Sequence, residues 1–272
     1  YNGYLEKDVR KIGEYAILDD FCGHIERIAD KICMESRMEE SLEFIDLRTV
    51  EERLHGKNSI AHEFVDKRRG WCRSRFIPVD YDEDGRLLHV IYCIESIDEE
   101  KKRENRLLYL AQTDLMTGLC NRGSGERRIN ELLQERTGGL LCLLDCDKFK
   151  AVNDTYGHSV GDKVIIAVAE SLQKSCREND VLLRLGGDEF AIFMPGLLEQ
   201  KSAEKFFDRL FENVGEIAIE EMQGKHVEIS LGACFYDGSE FVSFDQLYRN
   251  ADRAMYQSKK KQGYSATIYD GQ

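Results

Sequence analysis

The segment Leu185-Gly186-Gly187-Asp188-Glu189-Phe190 constrains the chain more than any other. Apolar residues precede it (Val181, Leu182, Leu183) and follow it (Phe190, Ala191, Ile192, Phe193), and Pro195 closes the run. Two strand-like runs around a Gly-Gly pair predict a β-hairpin, because glycine tolerates the positive φ of tight turns. The hairpin then carries two carboxylates, Asp188 and Glu189, at its tip. A bare turn would account for these residues, but a second acidic cluster upstream gives them a partner. The run Leu140–Leu144, bounded by Gly138-Gly139 and by acids, predicts a buried central strand. Asp145 and Asp147 stand at its end, followed by Lys148-Phe149-Lys150. Carboxylates at strand ends stay ionised cheaply when a divalent cation holds them, and hard oxygen ligands suit Mg²⁺, which also takes nucleotide phosphate oxygens. Amides of the turn at 146–150 offer a cradle for phosphates, with Lys150 adding charge.

Charge excludes one class of partner. The 272 residues carry 38 basic and 51 acidic side chains, net −13. The excess is spread over both halves, 18 basic against 25 acidic in residues 1–105 and 20 against 26 beyond. No half attracts nucleic acid or an anionic membrane in bulk, so neither is expected as a partner. The nine cysteines are odd in number and scattered without a Cys-x-x-Cys pair, and several lie in apolar runs. They predict buried thiols in a reducing compartment rather than disulfides or a zinc site. No signal peptide and no span-length apolar run is present, so a cytoplasmic location is expected. The first residue is not a methionine, and a longer, membrane-attached parent is compatible with that.

In chain order, residues 1–44 have a helical pattern (Ile25, Ile28, Ala29, Ile32), and a short helix follows Asp46, its candidate cap, as far as Gly56. The period then changes: His62–Asp66, Trp71–Val79 and Leu87–Ile97 read as strands, the last two joined by Asp80-Tyr81-Asp82-Glu83-Asp84-Gly85. His24, His55, His62 and His89 read as surface or packed residues rather than ligands. Residues 98–113, charged and then apolar (Leu107, Leu108, Leu110, Ala111), predict one continuous helix, either a solvated linker or a dimer-forming signalling element.

Beyond it come a polar turn (114–122), a helix (124–136), the buried strand, a helix opened by Asp162 as N-cap, the hairpin, a helix near 201–218, a strand at 226–235 and a final helix over 244–262. The order β-α-β-β-α-β is that of a ferredoxin-like antiparallel sheet with helices packed on it. The expected fold class is therefore α+β, with domains at 1–97 and 114–272 and a linker helix at 98–113.

Two resemblances follow. Residues 1–97 resemble the back half of a PAS sensory domain in Trp71-Cys72-Arg73, Pro78-Val79, Asp82-Glu83-Asp84-Gly85 and Ile97-Asp98-Glu99-Glu100-Lys101-Lys102. Residues 114–262 resemble the GGDEF domain of diguanylate cyclases. The likeness rests on Asp114…Thr117-Gly118-Leu119…Asn121-Arg122, Asp145-x-Asp147-x-Phe149-Lys150-x-x-Asn153-Asp154, and Gly157-His158…Gly161-Asp162. It continues in Arg184-x-Gly186-Gly187-Asp188-Glu189-Phe190 and Ala251-Asp252-x-Ala254-Met255-Tyr256-x-x-Lys259.

This second resemblance implies condensation of two GTP into cyclic di-GMP in a Mg²⁺-dependent (Mn²⁺-compatible) homodimer. It implies that Asp145 and Asp188 hold metal with the Cys146 carbonyl, and that Glu189 ligates metal or deprotonates the ribose 3′-hydroxyl. Lys150 with the amides of Lys148 and Phe149 would bind the triphosphate, Lys259 or Lys260 would neutralise phosphate, and Asn153 and Asp162 would read guanine. Arg177-x-x-Asp180 matches the family's product-binding inhibitory site; a surface salt bridge is the plainer reading of that pair. The chain departs from the family pattern in Lys259-Lys260-Lys261-Gln262-Gly263, one residue longer than usual, and in Ser258, where alanine is usual. A non-catalytic receptor for GTP or cyclic di-GMP is the alternative function.

Overall fold

A computed structural model describes residues 38–261 and 263–271. Of the helical pattern expected over residues 1–44, the part at 1–37 lies outside the described residues, as do His24 and Gln262. The chain divides into two compact units, residues 1–106 and 107–272.

In the first unit, α1 (Met38–Ile45) and α2 (Leu47–Leu54) precede an antiparallel sheet of β1 (Ile60–Asp66), β2 (Gly70–Tyr81) and β3 (Leu87–Ser96). Asp46 caps α2, accepting from the Arg48 amide at 3.0 Å. Along β2, Cys72, Ser74 and Phe76 face a small core with Phe44, Val50, Leu54 and Phe64. The alternating Arg73 and Arg75 pair outward with Glu63 and Glu95, as period-2 patterning requires. His62 stacks on Phe44 with ring centroids 5.3 Å apart, while His89 is exposed and pairs with Asp80 at 2.8 Å. The helix α3 (Asp98–Gln112) is continuous, as the sequence predicts. Its first turn is fastened to this sheet: Asp98 accepts from the Trp71 amide at 3.2 Å, and Lys101 pairs with Glu63 at 2.9 Å. No residue of α3 is buried, and Leu107, Leu108, Tyr109 and Leu110 are all exposed.

The second unit contains β4 (Cys120–Asn121), α4 (Arg122–Gln134), β5 (Gly139–Cys146), α5 (Phe149–Tyr156) and α6 (His158–Ser175). It continues with β6 (Val181–Gly186), β7 (Glu189–Pro195), α7 (Gln200–Gly215), β8 (Ile229–Tyr236), α8 (Phe244–Ser258) and β9 (Ser265–Ile268). The sheet order is β4-β6-β7-β5-β8-β9. Its centre is antiparallel, as expected, but β4 and β9 lie parallel to their neighbours at the two edges. Helices cover both faces. Leu140, Cys142 and Leu144 of β5 join a core with α6 and α7, while Leu141 and Leu143 join one with α4 and α8. Burial on both sides explains why β5 reads as an uninterrupted apolar run.

Several boundaries correct the sequence reading. Asp162 is not an N-cap: α6 begins at His158, after Gly157 at φ 86°, and Asp162 is its fifth residue. Residues 146–150 are not only a turn, because α5 starts at Phe149. The expected polar turn at 114–122 contains the short edge strand β4 and ends in Asn121, the cap of α4, whose side chain accepts from the Ser124 amide at 3.0 Å. The last helix stops at Ser258, leaving Lys259 as its C-cap. Among the described residues no helix is long and apolar enough to cross a membrane.

Candidate active site

Antiparallel pairing brings the C-terminal end of β5 beside the starts of β7 and β8. Asp145 pairs in register with Glu189 on one side and Ser230 on the other. Side chains so placed are about 5 Å apart at Cβ, so two carboxylates share one sheet edge. Asp188 precedes β7 in the turn, and its carbonyl accepts from the Cys146 amide at 3.4 Å. Gly186 at φ 149° and Gly187 at φ 56° supply the turn conformation that other residues rarely adopt.

Arg184 fixes the turn from below. Its guanidinium donates to the Gly187 carbonyl at 2.7 and 3.0 Å and reaches Asp114 at 3.2 Å. Asp114 also accepts from the Thr117 amide and hydroxyl at 3.0 and 2.7 Å. Burial works against the Asp114 charge, but these hydrogen bonds and Arg184 outweigh it and hold the carboxyl below its ordinary range.

The edge is electrostatically uncomfortable. Burial and the Asp145 charge push Asp188 up, and burial with Asp145 and Asp188 does the same to Glu189. Burial, partly offset by the Ser230 hydrogen bond, raises Asp147 as well, with Asp145 adding to it. Lys259 answers this charge, its Nζ lying 2.7 Å from Asp145 Oδ2. Burial alone would lower the ammonium pKa, but the Asp145 pair raises it.

The donor set tests whether a divalent cation fits. Two half-buried carboxylates, Asp145 and Asp188, with the backbone carbonyl of Cys146 next in sequence to Asp145, are hard oxygen donors in need of positive charge, and they fit. Burial drives the Cys146 thiol far up, which disfavours the thiolate a sulfur ligand would need. Among the described residues no three Asp, Glu, His or Cys side chains form a ready-made cage, so phosphate oxygens would have to complete the coordination.

Next to the carboxylates, Lys148 adopts φ 57°, ψ 24°, a left-handed conformation costing a non-glycine residue about 1–2 kcal/mol. The helix α5 then starts with no side-chain cap, so the first-turn amides of Phe149 and Lys150 keep their donors. The Lys148 and Lys150 side chains are exposed. Asn153, one turn further on, leans on Gly161 of α6 so closely that a β-carbon there would stand 2.0 Å from its Oδ1. Asp162 is exposed beside it. The structure thus gathers Asp145, Cys146, Asp188, Glu189 and Lys259 at one edge and strings Lys148, Phe149, Lys150 and Asn153 along α5.

Three predicted residues lie apart from that cluster. Lys260 is exposed, with Nζ 4.4 Å above the Tyr256 ring. Arg177 and Asp180 form a turn between α6 and β6, the Asp180 carboxylate accepting from the Arg177 amide at 2.7 Å. They border a surface hollow of about 290 Å³ shared with Gly118, Arg128 and Cys176. The sequence reading assigned no role to Arg184, Asp114 or Ser230, and took Asp147 only as a strand-end carboxylate beside Asp145. A polar residue between Leu183 and Leu185 in an apolar strand was the available signal for Arg184.

Residues 111–265 match the family described as "Diguanylate cyclase, GGDEF domain". Diguanylate cyclase DgcM of Escherichia coli K12 is 29% identical over 212 residues, 75% of this chain and 49% of that protein. The chain therefore spans about half the length of this relative. Among solved structures, the GGDEF domain of YfiN from Pseudomonas aeruginosa superposes with a TM-score of 0.53 at 29% identity, covering 58% of this chain and 94% of that one. The coiled coil and GGDEF domain of DgcB from Caulobacter crescentus, solved in complex with c-di-GMP, gives 0.56 at 25% identity over 63% and 93%.

Proposed function

The chain belongs to the GGDEF family of diguanylate cyclases, and on that premise we propose that it condenses two GTP into cyclic di-GMP, releasing two pyrophosphates. One observation carries the reading. Asp145, Asp188 and Glu189 meet at a single sheet edge, with Asp188 and Glu189 raised in pKa and Lys259 the cation beside them.

In the proposed reaction, the 3′-hydroxyl of one nucleotide attacks the α-phosphorus of the other. The α-phosphate bond to the β-oxygen breaks, pyrophosphate departs, and the hydroxyl proton passes to a base. The second, symmetric attack closes the ring. A divalent cation, Mg²⁺ or Mn²⁺, would be held by Asp145, Asp188 and the Cys146 carbonyl; it supplies Lewis-acid polarisation of the α-phosphate and lowers the hydroxyl pKa. Glu189 would join that coordination or accept the proton; burial, Asp145 and Asp188 raise its pKa, which makes it a stronger base than an ordinary carboxylate.

The amides of Lys148 and Phe149 with Lys150 orient the β- and γ-phosphates at the start of α5. Lys259, or Lys260 on the following turn, offsets their charge. Asn153 and Asp162 hold the guanine, Asp162 accepting from its N–H donors. One site holds one GTP, so the product requires two such domains face to face, and the exposed apolar residues of α3 supply a surface for that dimer. The PAS-like first unit, fastened to α3 through Asp98 and Lys101, would control the pairing. Arg177 and Asp180 would bind product and limit the rate.

A non-catalytic receptor has less support, because no member of the carboxylate set is missing. Chromatography of GTP reactions with Mg²⁺ tests the choice: cyclic di-GMP from the wild type and none from Asp188→Ala is the expected result. Equal nucleotide binding with no product from either protein would favour the receptor. In the same assay Arg177→Ala is expected to abolish the early plateau that accumulating product imposes; an unchanged plateau would leave the pair a surface turn.

A further inference from the structure

We propose that Asp147 is a positioning residue: held by the buried Ser230 hydroxyl, it fixes the left-handed elbow at Lys148 and so aims the first-turn amides of α5 at the nucleotide's β- and γ-phosphates. This rests on the nucleotide reading of the same site given above.

Ser230 lies on β8 and is fully buried. Its hydroxyl lies 2.8 and 3.0 Å from the two Asp147 carboxylate oxygens. The Asp147 amide donates to the Glu228 carbonyl at 2.9 Å. Asp147 is therefore tied to β8 at both its main chain and its side chain, one step past Cys146–Ile229, where the regular β5–β8 pairing ends.

The next residue takes the φ 57° turn, and the one after begins α5. A non-glycine residue stays left-handed only where its surroundings over-determine it. The Lys148 side chain does not do this, being 79% exposed and no nearer than 3.8 Å to Glu228. On the helix side, the Val152 amide reaches back to the Lys148 carbonyl, at 3.2 Å. The anchor on the strand side is Asp147. Releasing its carboxylate would let the elbow relax and rotate the uncapped amides of Phe149 and Lys150 away from a common target, while the guanine contacts at Asn153 and Asp162 stay in place.

The test compares affinities for GTP and GMP, measured by titration calorimetry with Mg²⁺ on the whole chain, together with KM, kcat and the unfolding temperature. Ser230→Ala removes the donor with little change in volume. Asp147→Asn keeps an acceptor for Ser230 and removes the charge. The expected result is that Ser230→Ala weakens GTP binding and raises its KM about tenfold, the scale of a lost hydrogen bond to a charged group, with GMP affinity and kcat within about threefold of wild type. Asp147→Asn is expected to stay within about threefold throughout.

Equal loss of GTP and GMP, or no loss of either, overturns the positioning role. So does an Asp147→Asn as damaged as Asp147→Ala, because charge rather than tethering would then be the contribution. A wild type that binds GTP no more tightly than GMP would contradict the nucleotide reading itself and take this proposal with it. Discrimination against GMP retained in the wild type and in Ser230→Ala alike would contradict only the proposal.

Discussion

Asp188 and Glu189 are held where an ionised carboxylate is disfavoured, by burial and by Asp145. Their pKa values in the fold lie above those of the unfolded chain. Protonated, they bury no charge; as pH rises through the carboxylate range to these raised values, the fold loses stability relative to the unfolded state. A neutral isostere should therefore stabilise the metal-free protein at neutral pH. Asp188→Asn is expected to raise the unfolding temperature in chelator, to flatten its decline as pH rises above the ordinary carboxylate range, and to abolish turnover. Thermal unfolding across pH, with chelator and with Mg²⁺, checks this; an Asp188→Asn less stable than wild type in chelator would contradict it. Asp145 and Asp188 were legible in the sequence because each abuts an apolar strand and acids at strand ends are conspicuous. Ser230 and Arg184 were not, because their partners Asp147 and Asp114 stand 83 and 70 residues away, and only the folded sheet brings them together.

Among the elements, α8 matters most to the site after the sheet itself, since Lys259 is its first residue past the end. The helix lies against β8 at Gly232, where a β-carbon would come within 2.1 Å of the Ala251 carbonyl and 2.2 Å of the Met255 amide. Both are backbone atoms, so no rotamer change relieves the contact. Gly232→Ala is expected to destabilise the second unit by about 1–3 kcal/mol and to lower activity by moving Lys259 from Asp145. Denaturant unfolding beside turnover measures both, and an unchanged midpoint would contradict the packing described here.

The same contrast decides which elements the sequence revealed. The run that forms β5 was unmistakable, because both its faces are buried. Edge strands of two and four residues, β4 and β9, carry too few side chains to show a period. The start of α6 was misplaced because Gly157 turns the chain five residues before Asp162, and an Asp beside a helix resembles a cap wherever it falls.

At the scale of the whole molecule, the account depends on two second units meeting. Leu107 and Leu110 of α3 are 60% and 38% exposed, so replacing both with Glu should leave the fold's stability within about 0.5 kcal/mol while weakening association. Sedimentation of the wild type and of Leu107→Glu/Leu110→Glu is expected to show a dimer in the first and a monomer in the second. Identical sedimentation would remove α3 from the interface.

The most direct test of the central claim is the initial rate of cyclic di-GMP formation from GTP and Mg²⁺ across a wide range of protein concentration. The account predicts cyclic di-GMP as the product, with a rate that rises faster than linearly until dimer formation saturates. A strictly linear dependence at concentrations where the protein is monomeric, or no cyclic di-GMP at any concentration, would contradict it.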